Sequence, residues 1–363
     1  MRTPGEKLRP LAFLPARLRT GLPVRPRPQT RPRTVLLLLA GALVAAAVVA
    51  AWVGPVPVPP RQILAGLLGQ PVPAAVHSIL WRIRLPRILL AVLVGGGLAV
   101  SGAALQGLLR NPLADPYLLG VSGGASVGAA LALWLDLRWE WAGVGLVPIL
   151  AFAGALAAVA LIWGLSRTGG RVAASHLVLA GVAVGAVCAA VISYLQSVGD
   201  ERLTKALLYW LAGGLGSATW QHLRLAAPYV LLGTAVLIYF ARDLDLMLMG
   251  EEAAAQAGVN VEATKTWVWL GASLATAATV AVAGLIGFVG LVVPHILRLA
   301  LGPSHRVLLP ASALGGGLLL LVADTLGRSL WAPQELPVGI LTGLMGGPFF
   351  LWLLRRELGR FSG

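Results

Sequence analysis

The sequence has little charge and almost no cysteine. Charged residues make up 12% of its 363 residues, about half of the roughly 25% typical of soluble domains. Cys188 is the single cysteine, so no internal disulfide can form. It stands in an apolar run, where a free cysteine behaves as a small buried hydrophobe. The shortage of charge excludes an ordinary soluble domain.

Motifs for catalysis are also missing. The sequence has no G-x-x-x-x-G-K-[ST] loop, so we expect no ATP site of the P-loop type. None of the five histidines stands four residues from another, and no His/Cys/Asp/Glu group has metal-ligand spacing. No ionisable residue falls clearly in the middle of an apolar run, since Asp324 and Arg328 stand at a run's end. The sequence therefore predicts no enzyme, no metal site, no cofactor on this chain and no proton relay.

Apolar residues are what the chain has in abundance. Hydrophobic residues make up 58%, mean hydropathy is +0.83, and 45 glycines are present. A membrane-spanning helix needs about 20 mostly apolar residues. Ten runs qualify: 35–53, 86–109, 117–135, 144–165, 173–195, 224–241, 266–284, 285–301, 307–325 and 337–354. The sequence predicts an all-α integral membrane protein with about ten transmembrane helices, the seventh and eighth divided at Gly284 and Gly287.

The net charge of +14 is concentrated at the N-terminus. Nine Lys and Arg precede Thr34, against one Glu, in a proline-rich stretch without a clear signal-peptide cleavage site. We expect residues 1–34 to form a disordered basic cytoplasmic tail, 35–356 the transmembrane domain and 357–363 a cytoplasmic C-terminal tail. An even number of spans puts both termini on the same side of the cell membrane, and the basic N-terminus together with Arg355, Arg356 and Arg360 indicates the cytoplasmic side. The charge is no sign of nucleic-acid binding.

This topology puts an acidic loop, 242–265, on the cytoplasmic side. Its two basic and five acidic residues give a net charge of −3, unlike its basic neighbours. Asp245 is a candidate helix cap, Glu251 and Glu252 suit a first helical turn, and Gly258 suits the position after a helix end. The loop reads either as an ordinary solvated connection or as a short helix with a surface of its own.

Three arginines stand on the side where positive charge is not expected. Arg82, Arg84 and Arg87 fall in or next to the predicted external loop 54–85. They could extend to lipid headgroups or form a docking surface for an acidic partner. The sequence alone leaves both interpretations open.

Three segments resemble a known family. They are Arg84–Ala130, containing RLPR and NPLADP, Gly284–Gly316, containing GFVGLVVPH, and Ala323–Arg356, containing ELPVG. Together they resemble the permease subunits of FecCD/BtuC-type ABC importers, which take up ferric siderophores, haem or vitamin B12. The resemblance implies a membrane-embedded homodimer, two separate cytoplasmic ATPase subunits that use ATP and Mg²⁺, and an external substrate-binding protein.

The resemblance also implies roles for particular residues. Docking of the binding protein is assigned to Arg84, Arg87 and Arg328, the last in the external loop 326–336. Coupling to the ATPase is assigned to Gly250, Glu251, Glu252 and Gly258. A cytoplasmic gate is assigned to Asn111, Leu113, Ala174 and Ser175, although the vitamin B12 importer has a hydroxyl residue where this chain has Ala174. A pathway-lining helix face is assigned to Gly284, Gly287, Gly290 and Pro294.

Other functions remain open at this point. A secondary transporter or channel for a small solute, working alone, is the main alternative, and an intramembrane enzyme is a third. The acidic helix-forming loop and the lack of intramembrane carboxylates favour the importer. His295 belongs to the resembling motif whatever the substrate, so it is a weak candidate for an iron ligand.

Overall fold

The computed structural model describes residues 31–136, 139–141, 143–168, 171–172, 174–330, 332 and 334–361. Residues 1–30 of the predicted N-terminal tail lie outside the described residues. The first helix begins at Pro32 and the last ends at Phe361, so helix covers parts of both segments predicted as tails.

Helices account for nearly all of the described chain. They are α1 (Pro32–Trp52), α2 (Pro60–Leu67), α3 (Ala74–Ser78), α4 (Leu85–Leu108), α5 (Val121–Leu135), α6 (Leu146–Ser166), α7 (Ala174–Val198), α8 (Glu201–Leu211), α9 (Trp220–Tyr239), α10 (Ala241–Met247), α11 (Glu251–Gln256), α12 (Val261–Ala283), α13 (Val289–Leu301), α14 (His305–Ser329) and α15 (Val338–Phe361). A π-helical turn, Ile79–Arg84, joins α3 to α4, and a 3₁₀ turn, Pro116–Leu119, precedes α5.

Two short β-ladders complete the structure. Strands β1 (Glu140–Trp141) and β2 (Val144–Gly145) pair antiparallel before α6. Strands β3 (Arg167–Thr168) and β4 (Arg171–Val172) pair antiparallel between α6 and α7.

The predicted ten spans all appear as helices. Within the described ranges, seven helices are long and apolar enough to cross a membrane, and three shorter apolar helices, at 121–135, 289–301 and 338–353, match the remaining runs. The prediction of an all-α membrane protein is confirmed, and the chain is a multi-pass membrane protein. The predicted division between the seventh and eighth spans is also confirmed, at 284–288.

Helix α4 lies at the centre of the bundle. It packs against α14, α12, α13 and α9. A Cβ on Gly95 would meet the backbone oxygen of Gly316 in α14, and a Cβ on Gly102 would meet that of Gly290 in α13. Only glycine permits helix backbones to approach this closely. The glycines of α4 therefore allow its neighbouring helices to pack directly against its backbone.

The predicted glycine face is wrong. Gly284 and Gly287 do not lie on a helix, because α12 ends at Ala283 and α13 begins at Val289. Gly284 has φ +67°, and Phe288 just before α13 also has φ +67°. The left-handed backbone of these two residues interrupts the helix, so only Gly290 and Pro294 share α13.

Candidate functional site

Helices α4 and α14 run antiparallel and define two ends of the bundle. Arg87 at the start of α4 bonds Asp324 near the end of α14. At the opposite end, Gly107 lies against the His305 ring, at the start of α14. We call these the arginine end and, because α11 lies there, the Glu251 end. The sequence-predicted topology makes the first external and the second cytoplasmic.

At the arginine end, Arg87 holds two carboxylates. Its Nε lies 2.9 Å from Asp324 Oδ2, and its Nη2 donates to Asp324 Oδ1 at 2.9 Å. Its Nη1 donates to Glu335 Oε2 at 2.8 Å. The Asp324 side chain is 4% exposed and that of Glu335 38%. Arg87 therefore joins a fixed buried carboxylate to a partly solvated one.

Arg84 and Arg328 close the C-terminal end of α1. The Arg84 guanidinium donates to the backbone oxygens of Ala51 at 2.7 Å, Trp52 at 2.9 Å and Val56 at 2.5 Å. Arg328 Nη2 donates to the oxygen of Ala50. The last carbonyls of a helix have no partner within the helix, and cations are favoured there. These two arginines therefore act as caps on α1.

The three arginines assigned to docking, Arg84, Arg87 and Arg328, are buried in this conformation. Arg84 is 3% exposed, Arg87 7% and Arg328 3%. Arg328 lies in the last turn of α14 rather than in an external loop, because the helix continues to Ser329. Arg82 is the exposed arginine of the RIRLPR stretch. Docking by Arg84, Arg87 or Arg328 stays a prediction, and it would require their present contacts to open.

A cavity of about 540 Å³ adjoins the ion cluster formed by Arg87, Asp324 and Glu335. Arg87 and Glu335 form part of its wall, together with Gly284, Trp210 and His222. Sequence reasoning missed Glu335, although it opens the ELPVG motif. It also missed the pairing of Asp324 with Arg328, whose Nε lies 3.9 Å from Asp324 Oδ2 and which the four-residue spacing could have indicated.

At the Glu251 end, α11 is held by ion pairs. Glu251 Oε2 accepts from Lys265 Nζ at 2.7 Å, and Glu251 Oε1 lies 3.4 Å from Arg110 Nη2. Glu252, next in sequence, is exposed. Gly250 has φ +116° and Gly258 has φ +86°, a backbone that favours glycine at both ends of α11. The prediction of a short helix opened by two glutamates and ended by Gly258 is confirmed.

Asp245, the candidate helix cap, lies inside α10 and caps a helix other than α11. Its Oδ1 accepts from the His305 backbone N at 2.6 Å and its Oδ2 accepts from Ser304 Oγ at 2.9 Å, so it caps α14 instead. The His305 ring Nδ1 lies 2.8 Å from the same Oδ1. Burial raises the pKa of Asp245, but these hydrogen bonds outweigh burial and leave the pKa below its ordinary value.

The gate loop, residues 110–116, folds as a tight turn. Asn111 Oδ1 accepts from Leu113 N at 3.0 Å, Asn111 is exposed and Leu113 is half-buried. Arg110 adopts φ +48°, a left-handed backbone that is unusual for a residue other than glycine. Burial raises the pKa of Asp115 to about 6, although the bond from Tyr117 N lowers it.

Tyr117, directly after the gate loop, is bonded to the break between α12 and α13, and Gln106 of α4 bonds both the gate loop and the start of α13. The Tyr117 hydroxyl donates to Ile286 O at 3.0 Å and accepts from Ile286 N at 2.8 Å. Gln106 Nε2 donates to Gly290 O at 3.2 Å and to Ala114 O at 3.4 Å. Sequence reasoning missed both Tyr117 and Gln106, whose roles depend on contacts between distant segments.

The other predicted site residues are spread out. Ala174 and Ser175 begin α7, but their side chains lie outside the described part of the chain. Pro294 is buried inside α13. His295 packs edge-on against Phe349, with ring centroids 5.9 Å apart. Among the predicted site residues, the structure joins Asn111 to Leu113 directly. Glu251 contacts the gate loop through Arg110, and Gly290 lies against Pro116 of the same loop.

The chain is similar to known proteins over most of its length. The model of the FecCD transport family matches residues 32–356. A cobalamin import system permease of Halobacterium salinarum is 48% identical over 284 residues, covering 78% of this chain and 75% of the relative. The hemin transport system permease HmuU of Yersinia pestis is 45% identical over 298 residues, covering 80% and 86%.

Two further comparisons cover more of the chain. The Fe(3+) dicitrate transport system permease FecD of Escherichia coli is 41% identical over 325 residues, covering 89% of this chain and 98% of the relative. A solved structure of an inward-facing metal-chelate type ABC transporter superposes with a TM-score of 0.77 and 31% identity, covering 89% of this chain and 99% of that one. The chain therefore belongs to the FecCD transport family, whose members are transporter permeases.

Proposed function

We propose that the chain is the transmembrane permease subunit of an ATP-binding-cassette importer that moves an iron chelate or cobalamin inward. A separate ATPase, using ATP and Mg²⁺, supplies the energy. The relatives named for cobalamin, hemin and ferric dicitrate support this substrate class. The cargo is a ferric siderophore, haem or cobalamin.

The proposed coupling mechanism rests on one observation: an ion pair between Arg110 and Glu251 joins the gate loop to α11. Glu251 is engaged within the chain, whereas Glu252 and the remaining outer face of α11 are exposed. A rigid acidic helix of this kind suits docking to a basic cleft of a partner. Movement of α11 by an ATPase would pull on Arg110, at the start of the gate loop.

Family membership and the exposed apolar surface of the chain support two further partners, a second copy of the chain and a substrate-binding protein. Exposed apolar side chains on α7, such as Leu179 and Val182, are 70% and 65% exposed and need cover from lipid or from a second copy of the chain. We propose a homodimer in the inner or cytoplasmic membrane, with both termini cytoplasmic. A substrate-binding protein docks at the arginine end.

Reconstitution tests this proposal. The chain is co-expressed with its ATPase, purified as a complex and placed in proteoliposomes with the cognate binding protein. We expect ATP-dependent uptake of one cargo among haem, cobalamin and a ferric siderophore. Uptake by the chain alone, without ATPase or ATP, would show a stand-alone transporter or channel instead, and so would failure of any ATPase to co-purify.

A further inference from the structure

Arg87 binds its two carboxylates unequally. Asp324 takes Nε and Nη2 in a two-pronged contact, and its side chain is 4% exposed. Glu335 takes only Nη1, and its side chain is 38% exposed. A buried two-pronged pair is difficult to break, whereas a partly solvated single contact contributes little. Glu335 is therefore the carboxylate that can leave.

The position of Glu335 also allows it to leave. It lies outside the helices, in the segment that precedes α15. The neighbouring residue is anchored independently, because Leu336 N donates to Gly327 O at 3.1 Å. The carboxylate can therefore rotate away from Arg87 without unwinding α14 or α15.

Space for a replacement exists beside this pair. The cavity of about 540 Å³ that Arg87 and Glu335 line falls within the range of small-molecule sites. Its wall is mainly apolar and aromatic, with residues such as Val147, Trp210 and Val282, and its few polar groups include Ser217 and His222. An apolar cavity with a guanidinium in its wall suits a small molecule that carries a carboxylate.

We propose that this cavity is a binding subsite for a carboxylate of the cargo, and that Glu335 occupies it as an internal ligand in this conformation. An incoming carboxylate takes Nη1 of Arg87 from Glu335, while Asp324 keeps the guanidinium in place. The site then selects carboxylate-bearing chelates over neutral cargo. This proposal rests on the proposed function, because the ligand is taken to be the transported cargo. It adds the chemical class of that cargo, a chelate that carries a carboxylate.

Citrate binding to the full chain in nanodiscs tests the proposal, with saturation-transfer NMR to detect weak binding. Glu335→Ala removes the internal ligand, and Glu335→Gln keeps its shape without charge. Glu201→Gln is the matched control, because Glu201 is an exposed glutamate in a different ion pair. We expect citrate to bind Glu335→Ala at least about fivefold more tightly than the parent, and Glu335→Gln also more tightly. Glu201→Gln should bind like the parent.

The role of Arg87 is tested in the Glu335→Ala background. Arg87→Gln removes the guanidinium, while Asp324 keeps a counter-charge in Arg328, whose Nε lies 3.9 Å from Asp324 Oδ2. This variant should abolish the gain. Gel filtration and thermal melting confirm folding, and Glu335→Gln decides the matter if Glu335→Ala does not fold. Four outcomes would each overturn the subsite. Citrate could bind the parent and the Glu335 variants equally, or bind as well after the loss of Arg87. Trimethyl citrate could bind as tightly as citrate, or citrate could fail to bind at all. Co-purification of the ATPase with the parent chain would then still stand as the separate test of the proposed function.

Discussion

Arg110 Nη2 lies 3.4 Å from Glu251 Oε1, across 141 positions of sequence. This contact joins the first residue of the gate loop to the first residue of α11. Lys265 Nζ, 2.7 Å from the other oxygen of Glu251, holds the same carboxylate to α12. Glu251 is therefore engaged within the chain, whereas Glu252 is the exposed glutamate of α11.

Because Glu251 is engaged within the chain and Glu252 is exposed, we expect charge reversal at the two glutamates to have different effects. Glu252→Lys should weaken co-purification of the ATPase by about tenfold, because it reverses an exposed charge at the docking face, while the thermal midpoint stays within about 1 °C of the parent. Glu251→Lys should instead lower the midpoint, because it faces Arg110 and Lys265 with a like charge. Wild-type ATPase stoichiometry and transport with Glu252→Lys would contradict the docking role. Glu201→Lys, an exposed reversal far from α11, is the control.

The gate loop should change its accessibility during the transport cycle. Asn111 is exposed and Leu113 half-buried in this conformation. Cysteines at these two positions, in a chain with Cys188→Ala, should react at different rates with a membrane-impermeant thiol reagent when ATP is present and absent. A cysteine at Arg202, which is 79% exposed, is the control that should not respond to ATP. Equal labelling of Asn111→Cys and Leu113→Cys in every nucleotide state would contradict a gate.

The two carboxylates on Arg87 should differ in their effect on stability. Asp324→Asn leaves a buried guanidinium without its main counter-charge and should cost about 3–5 kcal/mol. Glu335→Gln removes a partly solvated partner and should cost no more than about 1 kcal/mol. Denaturation of the purified chain measures both values. Similar losses for the two variants would mean that Glu335 is as fixed as Asp324.

Close approach of α4 and α14 predicts a strict need for glycine. Gly95→Ala should destabilise the chain by about 1–3 kcal/mol or more, because its Cβ would overlap the backbone of Gly316. Gly164→Ala in α6 is the matched control, since a Cβ there meets nothing within 4 Å. Because alanine has a greater helix propensity than glycine, Gly164→Ala should leave the free energy of unfolding unchanged or raise it by up to about 1 kcal/mol. Equal melting of the two variants would contradict the backbone contact.

The arginine end predicts a test that separates docking from capping. Arg84→Gln keeps a hydrogen-bond donor for the α1 carbonyls but loses the charge. If Arg84 docks the binding protein, this variant should weaken association at low salt by at least about tenfold, or about 1.4 kcal/mol. The loss should shrink at high salt because screening acts within about 8 Å at physiological ionic strength. Arg82→Gln removes an exposed charge from the same stretch; an effect of Arg82→Gln alone would assign docking to the exposed arginine.

The helices were predictable from the sequence because each membrane span needs its own apolar run. The break between α12 and α13 was predicted correctly at Gly284 and Gly287, and the short helix α11 from Glu251, Glu252 and Gly258. These features depend on local chemistry: apolar length, charge in a first turn and glycine at special backbone angles.

The site contacts were not predictable in the same way. Arg84 and Arg87 were predicted to be external because they stand in or next to loop 54–85, between the first two apolar runs, yet their side chains are buried against α1 and α14. Asp324 and Glu335 are 237 and 248 positions from Arg87. A single sequence gives no distance between such residues, so their pairing appears only when α4 and α14 are placed side by side.

The backbone contact between α4 and α14 has a mechanical consequence. No deformable side chain separates Gly95 from Gly316, and bonds from Arg87 to Asp324 and from Asp245 to His305 fix α14 at its two ends. We therefore expect α4 and α14 to move together as one rigid pair when α10, which holds His305 through Asp245, is displaced. We expect the bending that such a movement demands to occur at residues 284–288, where the helical hydrogen bonds are interrupted and Ile286 is held to Tyr117 of the neighbouring turn.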